Sequence, residues 1–188
     1  KSFVANFTAA KKDGGGKRQI CAPTEPLKKI QRRINKYILT WYKIKSANAF
    51  GFSYGSIVDA IKPHLEAKSI LFIDFKDAFP SISLSNVVDI FRETNRRKHS
   101  QISWYAAMII AEIVTFENKL PQGAPTSPKI FDIMCAKIDL ALSILAKKVE
   151  GKYTRYADNI FFSMSQSDFP SKVRNAVLRI IRKNGFCP

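Results

Sequence analysis

The chain has 188 residues, of which 46% are hydrophobic, and its 31 Lys and Arg exceed its 15 Asp and Glu to give a formal charge of +16. This hydrophobic content is typical of a globular domain and excludes a disordered one, and no run of about 18 apolar residues occurs that could cross a membrane. A domain this basic usually binds a polyanion, and nucleic acid is the first candidate, with an anionic membrane or simple solubility as alternatives. Three widely spaced cysteines fit no zinc spacing and predict reduced thiols in a cytoplasmic protein.

A glycine loop near the start of the chain, Asp13 to Gly16, is followed by Lys17 and Arg18 and then by a strand or turn that ends at Pro26. Basic groups beside a glycine loop suit a triphosphate, because charge-assisted hydrogen bonds to phosphate are strong. A solvated hairpin explains the same residues equally well, so this stretch leaves both interpretations open.

A helix is predicted from Leu27 to Tyr42, because apolar residues recur there with a period near 3.6. The apolar row consists of Leu27, Ile30, Ile34, Tyr37, Ile38 and Trp41. The other face holds five basic residues and no acidic one: Lys28, Lys29, Arg32, Arg33 and Lys36. A charged face is usually only solvated, but a one-sided basic face favours contact with a phosphate backbone.

Two stretches place a carboxylate at the end of a strand. Four apolar residues, Ile70 to Ile73, predict a buried strand that ends at Asp74. Tyr153 to Ser163 predicts a β-hairpin, with alternating bulky residues, a polar tip that contains Asp158, and a hydrophobic run. The tip could be only a turn, because Asp and Asn tolerate the required backbone angles. However, two carboxylates at adjacent strand ends could also hold a pair of Mg²⁺ ions about 4 Å apart.

The remaining elements are mostly helical. The segment Leu120 to Pro128 is predicted to be a loop, because it contains three prolines and a glycine. Further helices are predicted to run to Asn95, over 103–114, over 128–149, and from Lys172 to Lys183 with a stop at Gly185. Helices around short strands that lie far apart in sequence predict an α+β fold with a three- or four-stranded antiparallel sheet.

Three segments resemble successive motifs of reverse transcriptases, with a spelling closest to the bacterial retron-like branch. They are Asp74-Phe75-Lys76-Asp77-Ala78-Phe79, the run from Leu120 to Pro128, and Tyr156-Ala157-Asp158-Asn159. The resemblance extends from about Gly16 to Cys187 and implies the fingers and palm of a right-hand polymerase, with a small antiparallel palm sheet packed on helices. It implies fingers in residues 1–68 and in a helical segment at about 81–118, and a palm in the remainder of 69–188. A thumb would follow Pro188, so the chain is expected to be a fragment without it.

The resemblance also implies a reaction and its residues. The primer 3′-hydroxyl attacks the α-phosphate of a deoxynucleotide opposite an RNA template, and pyrophosphate leaves. Asp74, Asp158 and Asn159 are then the catalytic residues and ligands of two Mg²⁺ ions, or of Mn²⁺, and Phe75 adds its carbonyl oxygen. Most relatives have Asp where this chain has Asn159, and Asn offers a neutral oxygen in place of a charged one.

A second group of residues is implied to bind the nucleotide. Arg18 matches an arginine that grips the triphosphate, and Lys12, or its neighbour Lys11, matches a partner lysine. Phe79 matches a ring that excludes a ribose 2′-hydroxyl and so favours deoxynucleotides. The whole predicted set is Lys12, Arg18, Asp77, Ala78, Phe79, Gln122 and Gly123.

Two functional hypotheses follow. The first is a reverse transcriptase core, whose expected partners are an RNA template, a DNA primer and a deoxynucleoside triphosphate, with no membrane. A structured non-coding RNA is a further candidate partner, and the expected location is the cytoplasm, for a protein encoded by a bacterium or by a phage. The second is a catalytically silent relative that binds nucleic acid or a partner, for instance in phage defence. A related enzymatic variant would extend DNA without a template.

Overall fold

The computed structural model of the protein describes residues 3–10, 17–42, 46–52, 55–95 and 102–188. The strands in these segments are β1 (Phe3–Ala10), β2 (Lys17–Pro23), β3 (Ala49–Phe50), β4 (Ser69–Asp74), β5 (Lys152–Tyr156) and β6 (Asn159–Met164). The helices are α1 (Glu25–Tyr37), α2 (Ile57–Ile61), α3 (Leu84–Asn95), α4 (Trp104–Val114), α5 (Ser127–Lys148) and α6 (Ser171–Lys183). Short 3-10 helices cover Leu39–Trp41 and Lys62–His64.

The chain divides into two compact units. The first contains Lys1–Lys43 and Phe79–Ile133, and the second contains Ile44–Ala78 and Met134–Pro188. These bounds differ from the sequence-based division at residues 44–68, which belong to the second unit, and at about 119–133, which belong to the first. The physical reason for residues 44–68 is that β3 and α2, within this stretch, contact the strand β5. The assignment of fingers and palm to segments of the chain stays a prediction.

The second unit is built on a four-stranded sheet with the order β3-β5-β6-β4. Strands β5 and β6 form a hairpin, and β4 runs antiparallel to β6. The predicted antiparallel sheet is therefore confirmed for these three strands. The fourth strand, β3, pairs with β5 in parallel. Two residues carry no periodic signal, so the sequence could not reveal this strand.

Side chains of the three antiparallel strands alternate between two faces of this sheet. One face is buried, and it includes Ile73, Tyr153, Arg155, Ile160 and Phe162. The buried positions of α5 and α6 in this unit include Ile138, Leu142, Val177 and Ile181. The opposite face carries Asp74 and Asn159 at one end, with Ile70 and Phe72 exposed along β4.

The chain reverses after α6 and returns to the end of β4. Gly185, at φ +87, donates its N–H to the Arg182 carbonyl at 3.0 Å, and Phe186 donates to Ile181 at 3.4 Å. This pair of bonds is the Schellman motif, so the predicted stop at Gly185 is confirmed. The Phe186 ring then stacks on Phe75 with centroids 4.8 Å apart. The N–H of Lys76 donates to the Cys187 carbonyl at 2.9 Å.

The first unit contains the β1–β2 hairpin, α1, α3, α4 and the start of α5. Helix α1 ends at Tyr37 and a 3-10 turn follows, so the single helix predicted to reach Tyr42 is too long. Its buried residues are Gln31 and Ile34. Three positions predicted to be buried are exposed: Ile30 (47%), Tyr37 (55%) and Trp41 (43%). Ile34 of the predicted row is buried as expected, and Gln31 shares that side, because it donates from Nε2 to the Ile113 carbonyl at 2.9 Å, a polar contact that apolar periodicity cannot reveal.

No helix in the described part of the chain has the length and hydrophobicity that a membrane span requires.

Candidate functional site

One corner of the four-stranded sheet brings the predicted metal ligands together. Asp74 is the last residue of β4, and it pairs in register with Asn159, the first residue of β6. Directly opposed residues point to the same face, with Cβ atoms about 4.5–5.5 Å apart. Asp158 precedes Asn159 in the hairpin turn, and Phe75 donates its N–H to the Asp158 carbonyl at 3.4 Å. The four predicted ligands therefore lie within two neighbouring backbone segments.

This corner offers oxygen atoms of three kinds: the carboxylates of Asp74 and Asp158, the amide of Asn159 and the carbonyl of Phe75. Asp74 is exposed, whereas Asp158 and Asn159 are half-buried. Mg²⁺ is a hard cation that binds oxygen and usually keeps several waters, so this donor set fits it. Across the described residues, no three His, Cys, Asp or Glu side chains are grouped to hold a metal.

The turn that carries Asp158 has an unusual backbone. Ala157 adopts φ +53, a left-handed conformation that costs a non-glycine residue about 1–2 kcal/mol. Its N–H donates to the Phe50 carbonyl at 2.9 Å, and its own carbonyl accepts from Arg155 Nη1 at 2.7 Å. A Cβ on Gly51 would lie 2.9 Å from the Ala157 nitrogen, so only glycine fits at that position. The turn is thus held from three sides.

A buried ion pair lies behind this turn. Arg155 is fully buried and donates Nε and Nη2 to the two carboxylate oxygens of Asp139 on α5, at 2.8 and 2.9 Å. Tyr153 donates its hydroxyl to Asp139 Oδ1 at 2.6 Å. Burial alone would lower the pKa of Arg155, but the hydrogen bonds to Asp139 outweigh it and raise the pKa, so the guanidinium stays charged. Burial, followed by the charge of Asp139, raises the pKa of Tyr153 well above its ordinary value, so the phenol stays neutral.

Sequence reasoning missed this network, although a signal was present. Asp139 lies next to Ile138 in the apolar row of the helix predicted over 128–149. Arg155 occupies the same strand face as Tyr153, which the alternating pattern directs into the core. Opposite charges on the inward positions of two elements predict a buried pair, because a single buried charge is too costly.

A second polar network lies at the other end of the hairpin. His64 contacts Ser163 Oγ through Nδ1 at 2.6 Å and Thr154 Oγ1 through Nε2 at 2.8 Å. Thr154 donates its hydroxyl to the Ala60 carbonyl at 2.8 Å, so His64 Nε2 must be the donor to Thr154 and Nδ1 must accept from Ser163. Burial, and then the charge of Lys152, lowers the pKa of His64 and favours its neutral form. These bonds make His64 a structural residue.

The predicted nucleotide-binding residues fall in both units. In the second unit, Asp77 adopts φ +49 and Ala78 is buried. In the first unit, Phe79 is buried with its ring centroid 5.2 Å from that of Phe131. Lys12 lies outside the described residues.

Strand β2 and the Gln122–Gly123 loop are adjacent within the first unit. The N–H of Cys21 donates to the Gln122 carbonyl at 2.9 Å. Gly123 has φ +107, and a Cβ there would lie 3.0 Å from Ile20 Cγ2. The backbone of Arg18 is part of the same strand and pairs with Ala9. The side chain of Arg18 lies outside the described part of the structure.

The predicted basic face is present on α1, with one correction. Helix α1 begins at Glu25, two residues earlier than predicted, and Glu25 accepts a hydrogen bond from Lys28 Nζ at 2.8 Å. That bond lowers the pKa of Glu25. The face is therefore not free of acidic residues, although an exposed pair of this kind contributes little stability. The other four basic residues of the face are exposed: Lys29, Arg32, Arg33 and Lys36.

The chain is similar to known reverse transcriptases, both by family model and by individual sequence. The family model described as "Reverse transcriptase (RNA-dependent DNA polymerase)" matches residues 10–187. The retron Mx162 reverse transcriptase of Myxococcus xanthus is 35% identical over 186 residues, which cover 92% of this chain and 38% of that protein. The retron Ec86 reverse transcriptase of Escherichia coli is 32% identical over 171 residues, covering 90% of this chain and 51% of that protein. The resemblance read from the three motifs is thus confirmed, and the chain spans about half or less of these relatives' length.

Solved structures show the same fold at low identity. A telomerase from Candida albicans, solved with a TWJ fragment of telomeric RNA, matches with a TM-score of 0.54 and 11% identity, over 89% of this chain and 38% of that one. An apo telomerase from Candida tropicalis, truncated from its C-terminal domain, matches with a TM-score of 0.52 and 11% identity, over 90% of this chain and 44% of that one. At this identity the likeness shows the fold alone, and it confirms the predicted α+β class.

Proposed function

Because this chain belongs to the reverse transcriptase family, we propose that it supplies the fingers and palm of an RNA-directed DNA polymerase. The observation that carries the proposal is the register of β4 and β6, which pairs Asp74 with Asn159 and sets Asp158 beside them. In the proposed reaction a primer 3′-hydroxyl attacks the α-phosphate of a deoxynucleoside triphosphate. A new phosphodiester bond forms, the bond to the β-phosphate breaks, pyrophosphate leaves, and the hydroxyl proton is released.

The metal ligands in this proposal are the carboxylates of Asp74 and Asp158, the carbonyl of Phe75 and the amide oxygen of Asn159. They would hold two Mg²⁺ ions, with Mn²⁺ as an alternative. When bound, such ions stabilise charge on the attacking and leaving oxygens. The two carboxylates supply two negative charges, one fewer than a site with Asp at position 159. The chain's own task is to hold these oxygens in place before substrate arrives, because positioning and electrostatics dominate this chemistry.

The nucleotide contacts are proposed by similarity of motif. Arg18 and Lys12 would bind the triphosphate, and Phe79 would exclude a ribose 2′-hydroxyl. The packing of Phe79 against Phe131 supports this role, because a ring fixed by a neighbour cannot rotate away from an extra hydroxyl. Further nucleotide contacts are assigned to Asp77, Ala78, Gln122 and Gly123.

The proposed partners are an RNA template and a DNA primer, bound through phosphates by the basic face of α1. Exposed Tyr37 lies beside this face, with Lys36 Nζ 5.2 Å from its ring centroid, and an exposed aromatic ring can stack on an unpaired base. A structured non-coding RNA is a further proposed partner. We place the protein in the bacterial cytoplasm, encoded by the bacterium or by a phage.

Asn159 favours a second candidate. A site with one charge fewer suits a catalytically silent relative that acts through nucleic-acid or partner binding, for instance in phage defence. A related enzymatic variant would extend DNA without a template.

Primer extension by the full-length protein separates these candidates. Template-dependent synthesis from deoxynucleotides, lost in Asp74→Asn, supports the reverse transcriptase. Extension that persists without RNA template indicates the template-independent variant. Retained nucleic-acid binding with no extension under Mg²⁺ or Mn²⁺ indicates the silent relative and overturns the enzymatic proposal. A Phe79→Ala variant that gains ribonucleotide incorporation, with unchanged deoxynucleotide incorporation, would support the assigned role of this ring.

A further inference from the structure

The buried pair Arg155–Asp139 reaches the backbone of the turn that precedes Asp158. We propose that Arg155, anchored by Asp139, is a positioning residue that holds Ala157 in its left-handed conformation and so sets the direction of the Asp158 side chain. This inference rests on the proposed function, since the direction of Asp158 matters only if its carboxylate binds the metal.

The guanidinium is fixed on two sides. Nε and Nη2 donate to the two oxygens of Asp139, and Nη1 donates to the Ala157 carbonyl at 2.7 Å. Because the guanidinium is planar and rigid, these three bonds transmit the position of α5 directly to the turn. The side chain is fully buried, and its two bonds to Asp139 are shielded from water.

A hydrogen bond to the Ala157 carbonyl can determine how the Asp158 side chain is oriented. Its oxygen belongs to the planar peptide unit that joins Ala157 to Asp158, so a bond to this oxygen fixes the plane from which Asp158 projects. Ala157 has φ +53, and a strained backbone of this kind persists only where its surroundings determine it. The bond from the Ala157 N–H to Phe50 orients the preceding peptide unit instead.

The competing explanation is that Arg155 merely neutralises Asp139 and stabilises the core. A buried ion pair is poor support for that explanation, since apolar residues of similar volume often stabilise a core equally well. The two explanations differ in what a second substitution does. If Arg155 holds the turn, then Ala157→Gly should compensate for its loss, because glycine adopts positive φ without strain. If Arg155 only stabilises the core, glycine at position 157 cannot restore the affinity of a metal site.

The test measures Mn²⁺ binding to the full-length protein by electron paramagnetic resonance, well below the unfolding temperature of each variant. Arg155→Lys keeps the charge but replaces the rigid planar fork with a single nitrogen, so it cannot reproduce the two-pronged bond to Asp139 together with the bond to Ala157. We expect it to weaken Mn²⁺ binding by about tenfold, as is typical when a group that orients a ligand is removed. The double variant Arg155→Lys/Ala157→Gly should recover most of that loss. If Arg155→Lys does not fold, Asp139→Asn replaces it, because it frees the guanidinium to move and should give the same loss and recovery.

Thr154→Val is the matched control. Thr154 neighbours Arg155 on β5 and is also buried. The valine variant lacks the hydrogen bonds to His64 and Ala60, and neither of these bonds involves the turn. It should destabilise the hairpin but leave Mn²⁺ affinity unchanged.

Wild-type affinity in Arg155→Lys, an equal loss of affinity in Thr154→Val, or no recovery on adding Ala157→Gly would each overturn the inference. A wild-type protein that binds Mn²⁺ no better than its Asp158→Asn variant would overturn the proposed metal site itself, and the inference with it.

Discussion

Position 159 carries a neutral amide beside two carboxylates, so the proposed metal site has one negative charge fewer than a site with Asp at this position. The hairpin turn does not need Asn there, since Asn159 starts β6 and pairs with both Asp74 and Tyr156. The positive φ in this turn belongs to Ala157. A turn-forming role for Asn159, left open by the sequence, therefore has little support from the backbone.

We expect Asn159→Asp to tighten Mg²⁺ binding, because it adds an anionic oxygen where cations would sit. In the full-length protein it should also raise the rate of primer extension, or create extension if the natural protein is silent. Asp158→Asn should act in the opposite direction and more severely, since it removes a charge that the site still has. The measurement is a Mg²⁺ titration of extension, or of thermal stability. If Asn159→Asp leaves the Mg²⁺ dependence unchanged while Asp158→Asn clearly weakens Mg²⁺ binding, then Asn159 is not a metal ligand.

At the scale of elements, the β5–β6 hairpin is tied down at both ends by buried polar groups. The Arg155 network supports the turn, and His64 links the 3-10 helix Lys62–His64 to Thr154 and Ser163. The His64 ring is also 6.1 Å from that of Phe161. The stability of this end of the hairpin should therefore depend on the protonation state of His64.

Folding stability should fall as the pH is lowered below about 6.5, the ordinary pKa of an unfolded histidine. The pKa of His64 is lower in the folded protein, so the unfolded chain binds more protons in this range and acid favours it. His64→Gln should cost about 1–3 kcal/mol near pH 7.5, where it leaves a buried hydroxyl without its partner. The difference in free energy of unfolding between this variant and wild type, measured by urea unfolding, should be smaller at pH 5 than at pH 7.5. Parallel pH profiles for the two proteins would show that His64 does not titrate as argued.

The elements that sequence predicts well are those with a period of their own. The hairpin and β4 alternate or run apolar, and they place Asp74 and Asp158 at strand ends without any knowledge of the fold. Strand β3 could not be predicted, because its two residues are a strand only through pairing with β5. The buried face of α1 was predicted only in part, because Gln31, a polar residue, packs inward together with Ile34. Strand pairing and the burial of a polar side chain depend on tertiary structure, and the hydrophobic periodicity of one segment does not reveal them.

At the scale of the whole molecule, the formal charge of +16 should dominate binding to nucleic acid. Exposed basic residues occur outside α1 as well, for example Lys147 and Lys148 in the last turn of α5. A bulk charge effect and a specific track along α1 therefore both predict binding, and they differ only in which residues matter.

We expect the affinity for single-stranded or duplex nucleic acid to fall steeply with salt, with a log–log slope of about −0.7 to −0.9 per phosphate neutralised. The double variant Lys29→Ala/Arg33→Ala should reduce the magnitude of this slope by about 1.4 to 1.8, the contribution of two phosphates. Lys147→Ala/Lys148→Ala removes the same charge elsewhere and should leave the slope nearly unchanged. Equal effects of both pairs would assign the binding to net charge, and salt-insensitive binding would contradict a phosphate contact altogether.

The close approach of Gly51 to the turn has a consequence for how this protein can evolve. A Cβ at position 51 would press on the Ala157 nitrogen at 2.9 Å, although the two residues lie far apart in the chain. A mutation that places any side chain at position 51 must therefore displace the turn that carries Asp158, unless the turn changes in the same lineage. Lineages with a side chain at position 51 are therefore expected to carry a change in this turn as well.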